Sequence, residues 1–417
     1  MSKFSEIKKG LSSLENLERT LHLKQLQINR LLNITQAIND NVSADGLYAM
    51  YNSFLSWEMG VKKLALYVKK EEEWICASHI GLSEEKIKMD ISDKFPKYQR
   101  LKNIEEDSNH PLISEFDIVI PVLHKQHAIA YTFIGGFERD DDMYNKVQFI
   151  TTITNIIAVA IENKRLFKQQ LEQERLNREM ELASDMQKML IPSQLPEAED
   201  YDLASIYKPH LVVGGDYFDF LELGDGKISF CIADISGKGL AAALLMANFQ
   251  ANFRALIKQH SDSLISFIHE LNQTVLRITN GEKFITFFVA VYDRQSKELH
   301  YINAGHNPPV LIKHDTIYPL NKGCTILGSF QELPTVEESS IKIDGETMIL
   351  SFTDGLTDVK NEKGDYFEED MLHDFTKAHY KLSSKAFNDK LLARINSFKG
   401  ILNFPDDFTV LTCKFLQ

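Results

Sequence analysis

The sequence is poor in cysteine and in positive charge, and both shortages exclude classes of protein. Its 417 residues include four cysteines, which are far apart, so we expect neither a disulfide framework nor a cysteine metal clip. The chain has 46 lysines and arginines against 59 aspartates and glutamates, which gives a formal net charge of −13. Such a chain has no general attraction to nucleic acid or to anionic lipid.

Long apolar runs are also missing. The first ten residues, MSKFSEIKKG, lack the apolar core of a signal peptide. The longest candidate span, residues 150–161, is too short and too rich in threonine to cross a bilayer. We therefore expect a cytoplasmic protein without a membrane span.

Several catalytic sequence motifs are absent. The chain has no GxxxxGK[ST] or GxGxxG loop to bind phosphates and no GxSxG nucleophile. Without a compact cluster of histidine and cysteine, zinc is not expected either.

The length predicts two or three domains, and a hydrophobic share of 44% is enough to build their cores. Residues 1–40 read as a helix with a short heptad seam, in which six of eight positions are apolar. The seam predicts either packing on the helix's own domain or self-association in a homodimer. Its members are Leu14, Leu17, Leu21, Lys24, Ile28, Leu31, Thr35 and Ile38.

Residues 41–162 have the pattern of an α+β sensor module. Strand-like runs at 61–68 with 74–80, and at 116–122 with 128–133, predict two antiparallel pairs. Helical segments flank the strands on both sides.

A helical linker is predicted at residues 163–192. Residues 137–191 contain no glycine or proline, and the end of this run is dense in charged helix formers. An interrupted heptad seam favours a coiled coil with a stutter, which transmits a signal or serves as a plain spacer. The seam residues are Leu176, Met180, Ala183, Gln187 and Leu190.

Residues 193–417 form the predicted catalytic domain. Strand-like runs fall at 227–233, 284–293, 298–303, 347–352 and 408–415, and helices at 240–258 and 264–279 separate the first two. This order predicts a sheet-rich α+β core with paired helices.

Four aspartates stand next to the ends of predicted strands, in GGDYFD, DISGKG, TDGLTD and DDFTVL. An aspartate at such a position, taken singly, is more often a turn residue. If the strands share one core, however, the carboxylates crowd together, and each pair about 4 Å apart repels by about 4 kcal/mol at an effective dielectric constant near 20. Two Mn²⁺ or Mg²⁺ ions would relieve this repulsion and suit phosphoryl chemistry. The four are Asp216, Asp234, Asp354 and Asp406.

Together with FVAVYD (288–293) and NAGHNPP (303–309), these motifs resemble the ordered signature of SpoIIE-type serine phosphatases of the PPM superfamily. The resemblance implies an α-β-β-α sandwich with two metal ions between the sheets. It implies that Asp234 bridges the metals, that Asp216 and the Ile235 carbonyl complete one site, and that Asp354 and Asp406 complete the other.

Three further residues near the motifs have open roles. Asp219 and Asp407 read as turn residues or as supports for the ligands. His306 is a candidate general acid, although a histidine in a Gly/Pro turn more often braces its loop. Unlike the eukaryotic type 2C branch, the chain has no histidine soon after the bridging aspartate and no arginine closely before GGD.

By its order of elements and its place before a long helix, the region 41–162 resembles a GAF domain, for which we assign no ligand. The leading hypothesis is a signal-regulated protein serine/threonine phosphatase whose target, by resemblance, is a phosphorylated anti-sigma factor antagonist. The alternatives are a catalytically silent scaffold that binds a partner protein, or another two-metal phosphoesterase such as a nuclease. The lack of a basic stripe argues against the nuclease.

Overall fold

Two units of structure make up the chain, Met1–Gln173 and Glu174–Gln417. The computed structural model describes residues 2–70, 73–104, 110–124, 127–136, 143–196 and 198–416. Each unit has hydrophobic cores of its own.

The described part of the first unit consists of a single antiparallel sheet and its helices. Short 3-10 segments at Ser92–Lys97 and Ile113–Glu115 complete it. In chain order the elements are α1 (Ser2–Asn39), α2 (Ala44–Trp57), β1 (Lys63–Lys70), β2 (Glu73–Ile80), α3 (Glu84–Ile87), β3 (Lys102–Asn103), β4 (Ile118–His124), β5 (His127–Gly135) and α4 (Met143–Lys188), and α4 ends in the second unit.

The sheet of the first unit has the order β2-β1-β5-β4-β3. Its pairs β1–β2 and β4–β5 confirm the two predicted strand pairs. One face carries aliphatic side chains such as Leu64 and Ile120, against which α1, α2 and α4 pack. The other face is aromatic, and Phe95 stacks on Tyr131 there with ring centroids 4.5 Å apart.

The N-terminal helix α1 packs on the core of its own unit only near its C-terminal end. Leu31 and Ile38 of the predicted seam pack on the aliphatic core. Leu14, Leu17 and Leu21, in contrast, are 59%, 67% and 70% exposed. The last turns of α1 therefore follow the packing interpretation, while an apolar stripe stays exposed on its earlier turns.

A single helix, α4, covers both the predicted closing helix of the sensor and the predicted linker. Near its end Gln187 is buried, and it bonds to Gly214 within the second unit. The predicted heptad seam is therefore wrong at Gln187, which cannot face a partner helix. Leu182, Met186 and Met189 are instead 66%, 67% and 75% exposed.

The second unit contains two sheets and two pairs of longer helices among its described residues. Its elements are β6 (Tyr201–Lys208), β7 (Tyr217–Gly224), β8 (Lys227–Ile235), α5 (Leu240–Gln259), α6 (Leu264–Thr279), β9 (Ile285–Asp293), β10 (Glu298–Ala304), β11 (Val310–Lys313), β12 (Thr316–Pro319), β13 (Gly323–Cys324), β14 (Ser339–Lys342), β15 (Thr347–Phe352), α7 (Asp354–Thr357), α8 (Glu369–His379), α9 (Ser384–Lys399) and β16 (Phe408–Phe415).

The two sheets of the second unit pack face to face. One has the order β13-β10-β9-β8-β7 with β14 beside β10, and the other the order β12-β11-β15-β16-β6. Between them Phe230 of β8 meets Phe415 of β16, with ring centroids 6.5 Å apart. Helices α5 and α6 pack on the first sheet, and α8 and α9 on the second. These layers form the α-β-β-α sandwich that the resemblance implied.

Helix α5 is the one described helix that is long and apolar enough to cross a membrane by composition. Its Met246, Phe249 and Phe253 are fully buried, and Tyr217 of β7 packs edge-on against both phenylalanine rings. An apolar stripe buried against a sheet is the pattern of a core helix, so we interpret α5 as part of the sandwich.

Candidate metal centre

In the first sheet of the sandwich, two of the predicted aspartates lie at the same edge. Asp216 directly precedes β7, and Asp234 is the penultimate residue of β8. The two strands are antiparallel, with Tyr217 opposite Ala233, so the start of one lies beside the end of the other. Sequence positions eighteen apart are thereby brought together.

The second sheet presents the other two aspartates in the same way. Asp354 opens the short helix α7 and is separated from the end of β15 by Thr353 alone, and Asp406 lies just before β16. These strands are also antiparallel, with Phe352 opposite Val410. All four aspartates therefore lie where strands end.

Hydrogen bonds across the sandwich join the two edges. Asp216 Oδ2 accepts one hydrogen bond from the Thr353 hydroxyl at 2.7 Å and one from the Thr409 hydroxyl at 2.5 Å. Both threonines belong to the second sheet's edge, and both are fully buried. The carboxylate of Asp216 is thus fixed in orientation by groups that carry no charge.

The pKa of Asp234 reflects the crowding of carboxylates at this edge. Burial, followed by the nearby charges of Asp354, Asp406 and Asp407, raises the pKa of Asp234 to about 7, and Lys238 acts in the opposite direction. A carboxylate with this pKa exists partly protonated at neutral pH unless a cation stabilises its charge.

The neighbouring carboxylates respond to the same crowding. Burial and the charge of Asp234 place the pKa of Asp216 well above its usual range. Burial, then Asp358 and Asp406, raises the pKa of Asp354. The repulsion that the sequence predicted is therefore present in the structure.

Two glycines permit close backbone contacts at this edge. A Cβ on Gly355 would lie 1.9 Å from the carbonyl oxygen of Asp407, so no other residue fits there. A Cβ on Gly215 would lie 2.8 Å from the carbonyl oxygen of Ile235. The Ile235 carbonyl thus lies beside the GGD motif, next to Asp216.

The donor set fits hard divalent cations. Carboxylates and backbone carbonyls are the protein ligands that Mg²⁺ and Mn²⁺ prefer, and both are present here. In the described part of the chain, no three acidic, histidine or cysteine side chains are already arranged around one ion position. The edge therefore matches a site for divalent cations in its ligand chemistry and its location, while the side-chain positions do not define where each ion binds.

Known proteins give independent information about this region. A family model described as stage II sporulation protein E (SpoIIE) matches residues 224–416, which include three of the four aspartates but begin after Asp216. RsbU, a phosphoserine phosphatase of Bacillus subtilis (strain 168), is 27% identical over 287 residues, covering 66% of this chain and 80% of RsbU. RsbP, a phosphoserine phosphatase of the same organism, is 27% identical over 187 residues, covering 43% of this chain and 45% of RsbP.

Among solved structures, the SiaA-PP2C domain of Pseudomonas aeruginosa has the same fold. The TM-score is 0.51 at 18% identity, over 58% of this chain and 97% of that domain. The C-terminal half of the chain thus matches the SpoIIE family model over residues 224–416 and has the fold of a PP2C domain. Its similarity to RsbU supports protein serine phosphatase activity for the chain.

Asp407 supports the GGD motif of the phosphatase domain. Its carboxylate accepts hydrogen bonds from the backbone N–H of Gly215 at 2.5 Å and of His210 at 2.7 Å. Asp407 thus holds the backbone directly before Asp216.

Asp219 belongs to a separate buried network in the phosphatase domain. It is fully buried on β7 and forms a two-pronged ion pair with Arg254 of α5, with N–O distances of 2.7 and 3.0 Å. The Tyr217 hydroxyl donates to the same carboxylate. Asp219 thus attaches α5 to the sheet and has its counter-charge within the chain.

His306 is buried in the NAGHNPP turn, and its environment favours the bracing interpretation. Asn303 accepts from the His306 N–H at 2.7 Å and donates to its carbonyl at 3.0 Å. Burial lowers the pKa of His306 to about 4, although the carbonyl of Phe352 acts in the opposite direction. The imidazole is then neutral at pH 7 and is poorly suited to donate a proton as a general acid.

Sequence reasoning did not find several residues of the phosphatase site. Thr353 and Thr409 touch Asp216, but a threonine next to a strand end carries no distinctive signal. Lys238 in DISGKG forms an ion pair with Asp406 at 2.7 Å. Gln187 bonds to Gly214 two residues before Asp216. The lysine could have been noticed as a positive charge inside an otherwise acidic signature.

Proposed function

We propose that the chain is a signal-regulated, metal-dependent protein serine/threonine phosphatase that hydrolyses phosphoserine or phosphothreonine on a regulatory protein. One observation carries the proposal. Carboxylates from two different sheets meet at one edge of the sandwich, where burial and mutual repulsion raise the pKa of Asp234 to about 7. Such a cluster of repelling carboxylates destabilises the folded protein and is characteristic of a site that binds cations.

The residues at the edge suit two Mn²⁺ or Mg²⁺ ions. We assign Asp234 as the bridging ligand, Asp216 and the Ile235 carbonyl to one ion, and Asp354 and Asp406 to the other. When bound, the ions would neutralise the carboxylates, polarise the phosphate and lower the pKa of the attacking water.

The chain's own groups prepare the edge for this chemistry. Thr353 and Thr409 hold one oxygen of Asp216, which leaves the other free to bind an ion. Asp407 holds the backbone of Gly215 and so fixes the approach of the GGD loop. These contacts would hold the edge in one arrangement, so that little reorganisation is required at the moment of reaction.

We further propose that the substrate is a small phosphorylated anti-sigma factor antagonist in a bacterial partner-switching pathway. The similarity to RsbU supports this, since it extends over 80% of that phosphoserine phosphatase. The acidic net charge and the expectation of a cytoplasmic location are compatible with a soluble protein target.

The first unit would supply the regulatory input as a GAF-like sensor. Its antiparallel sheet has helices on one face and, beside the aromatic face, a cleft of about 560 Å³ lined in part by Trp74, Cys76 and Asp90. Sites for small molecules usually have volumes of roughly 300–1,000 Å³. A metabolite or a partner protein is the proposed signal.

Helix α4 would couple the signal to the catalytic edge. Gln187 donates to the Gly214 carbonyl at 2.7 Å and accepts from the Gly214 N–H at 3.1 Å. A shift or rotation of α4 would therefore act on the backbone two residues before Asp216.

Self-association through the helices is also proposed. Exposed leucines on α1, and Leu182, Met186 and Met189 on α4, offer apolar stripes that a second copy would cover as a homodimer. Light scattering at micromolar concentration tests this, and a monomer would contradict it.

A phosphatase assay on the full chain tests the main proposal. With Mn²⁺ it should hydrolyse p-nitrophenyl phosphate and phosphoserine proteins, and Asp234→Asn should lose this activity. A silent scaffold would bind Mn²⁺ or a partner without any hydrolysis, and equal activity of wild type and Asp234→Asn would remove the bridging role.

A further inference from the structure

Two lysines without a role in the proposed metal chemistry lie at the loop that follows Asp234: Lys238 is part of this loop, and Lys283 lies just before β9. Lys238 forms an ion pair with Asp406 Oδ2 at an N–O distance of 2.7 Å, and its side chain is 54% exposed. Lys283 lies against the same loop, with its Nζ 3.1 Å from the position that a Cβ would take on Gly237. Among the described residues, no carboxylate forms an ion pair with Lys283.

The loop that carries this pair is fixed in place. The Ser236 N–H donates to the Phe284 carbonyl at 3.0 Å, and the Phe284 N–H donates to the Ser236 hydroxyl oxygen at 2.9 Å. These two bonds place the start of β9, and with it Lys283, beside the DISGKG loop. Gly237 has φ +109°, a left-handed conformation suited to glycine, and its missing side chain leaves room for the Lys283 ammonium.

The charge balance of the site favours such cations. The four proposed metal-ligating carboxylates carry four negative charges, which two divalent ions neutralise. A phosphomonoester carries up to two further negative charges at neutral pH. In the described part of the chain, no arginine forms an ion pair with the four carboxylates, so lysine is the available source of positive charge at this edge.

We propose that Lys238 and Lys283 form the phosphate-binding pair of this enzyme and hold the substrate's phosphate dianion at the mouth of the carboxylate cluster. An ammonium group has three N–H donors, so Lys238 can keep its bond to Asp406 and still donate to a phosphate oxygen. Both lysines are exposed, so a phosphoserine on a protein surface can reach them. The pair binds and orients the phosphate, and neither lysine transfers a proton.

The inference rests on the proposed function, and phosphate affinity tests it separately from turnover. Binding of inorganic phosphate to the full-length, Mn²⁺-saturated protein is measured by calorimetry for wild type, Lys238→Met, Lys283→Met and the double variant. Each single change should weaken phosphate binding roughly tenfold and the double change roughly a hundredfold, since a hydrogen bond to a charged group is lost each time. Lys258→Met, at an exposed lysine near the end of α5, should bind phosphate like wild type.

Kinetics on p-nitrophenyl phosphate complete the test. The Met variants should raise KM and the inhibition constant of phosphate, with kcat changed less than threefold, because binding to ground state and transition state is lost equally. Lys238→Arg should restore phosphate binding to within about threefold of wild type, because its charge and donors remain. Mn²⁺ affinity should not fall in Lys238→Met.

The possible failures are distinguishable. Active wild type, with unchanged phosphate affinity in the double variant, would show that the metals alone hold the phosphate and would overturn the pair. Phosphate binding that falls equally in Lys258→Met would also overturn it, as a general charge effect. A wild type that binds Mn²⁺ but hydrolyses nothing would instead contradict the proposed function.

Discussion

Asp216 and Asp219 lie three residues apart in the motif GGDYFD, and their side chains are 1% and 0% exposed. Asp219 receives the guanidinium of Arg254. Asp216 accepts hydrogen bonds from two threonine hydroxyls, and the charged groups nearest to it are other carboxylates. The fold thus provides a counter-charge for one buried aspartate and withholds it from the other. Between these two aspartates, the absence of a counter-charge, more than burial or motif membership, distinguishes the candidate metal ligand Asp216.

Catalysis should separate the two kinds of aspartate most strongly. Asp216→Asn or Asp234→Asn should lower Mn²⁺-dependent hydrolysis at least about 10³-fold, which corresponds to about 4 kcal/mol of transition-state stabilisation. Asp219→Asn, assayed at a temperature where it is folded, should stay within about threefold of wild type. Comparable losses in all three variants would break the comparison.

Stability without metal should change in opposite directions at the two sites. Asp234→Asn removes a repelled charge and should raise the unfolding free energy by about 1–2 kcal/mol, or roughly 3–6 °C in Tm. Asp219→Asn leaves Arg254 without its partner and should lower it by about 2–3 kcal/mol, less than for a fully buried pair because Arg254 is partly exposed. Thermal unfolding in EDTA measures both, with Asp225→Asn in an exposed turn as the control.

The pH dependence of the metal-free protein follows from the raised pKa of Asp234. Between about pH 4 and 7 the folded state keeps a proton that the unfolded state has lost, so unfolding free energy should fall as pH rises through this window. Above about pH 7 the contribution of this group is constant. Saturating Mn²⁺ should reverse the trend, because it binds the deprotonated form. Unfolding curves from pH 5 to 8, with and without Mn²⁺, test the sign, and parallel curves would contradict it.

The smallest expected effect concerns the link from α4 to the GGD motif. Gln187→Leu keeps the side-chain volume but leaves the buried N–H and carbonyl of Gly214 without partners, which should cost about 1–2 kcal/mol. We expect hydrolysis to change three- to tenfold in the same variant. Met186→Leu, at the exposed neighbouring position, should change neither quantity. An unaltered rate in Gln187→Leu would remove Gln187 from the coupling proposal.

Sequence patterns predicted the catalytic unit's elements well, because alternation and helical periodicity are local. Strands β15 and β16 and helix α6 have the predicted bounds. The placement of the four aspartates followed from motif order at strand ends. The sequence could not distinguish Asp219 from Asp216, because Arg254 lies 35 residues beyond Asp219 on another element.

Contacts between distant segments account for the other omissions. Gln187 had an acceptable heptad position, yet its amide is engaged by a backbone group 27 residues away. Thr353 and Thr409 became relevant only when the second sheet faced the first. The position of Lys283 beside the DISGKG loop could not be predicted, because it depends on two hydrogen bonds between Ser236 and Phe284.

We propose above all that the carboxylates of Asp216, Asp234, Asp354 and Asp406 at the edge of the sandwich hold two divalent ions. A calorimetric titration of the full-length protein with Mn²⁺ near pH 7.5 tests it most directly. We expect two ions bound per chain, with proton release, and loss of this binding in Asp234→Asn but not in Asp219→Asn. No Mn²⁺ binding by wild type, or the same binding in wild type and Asp234→Asn, would contradict it.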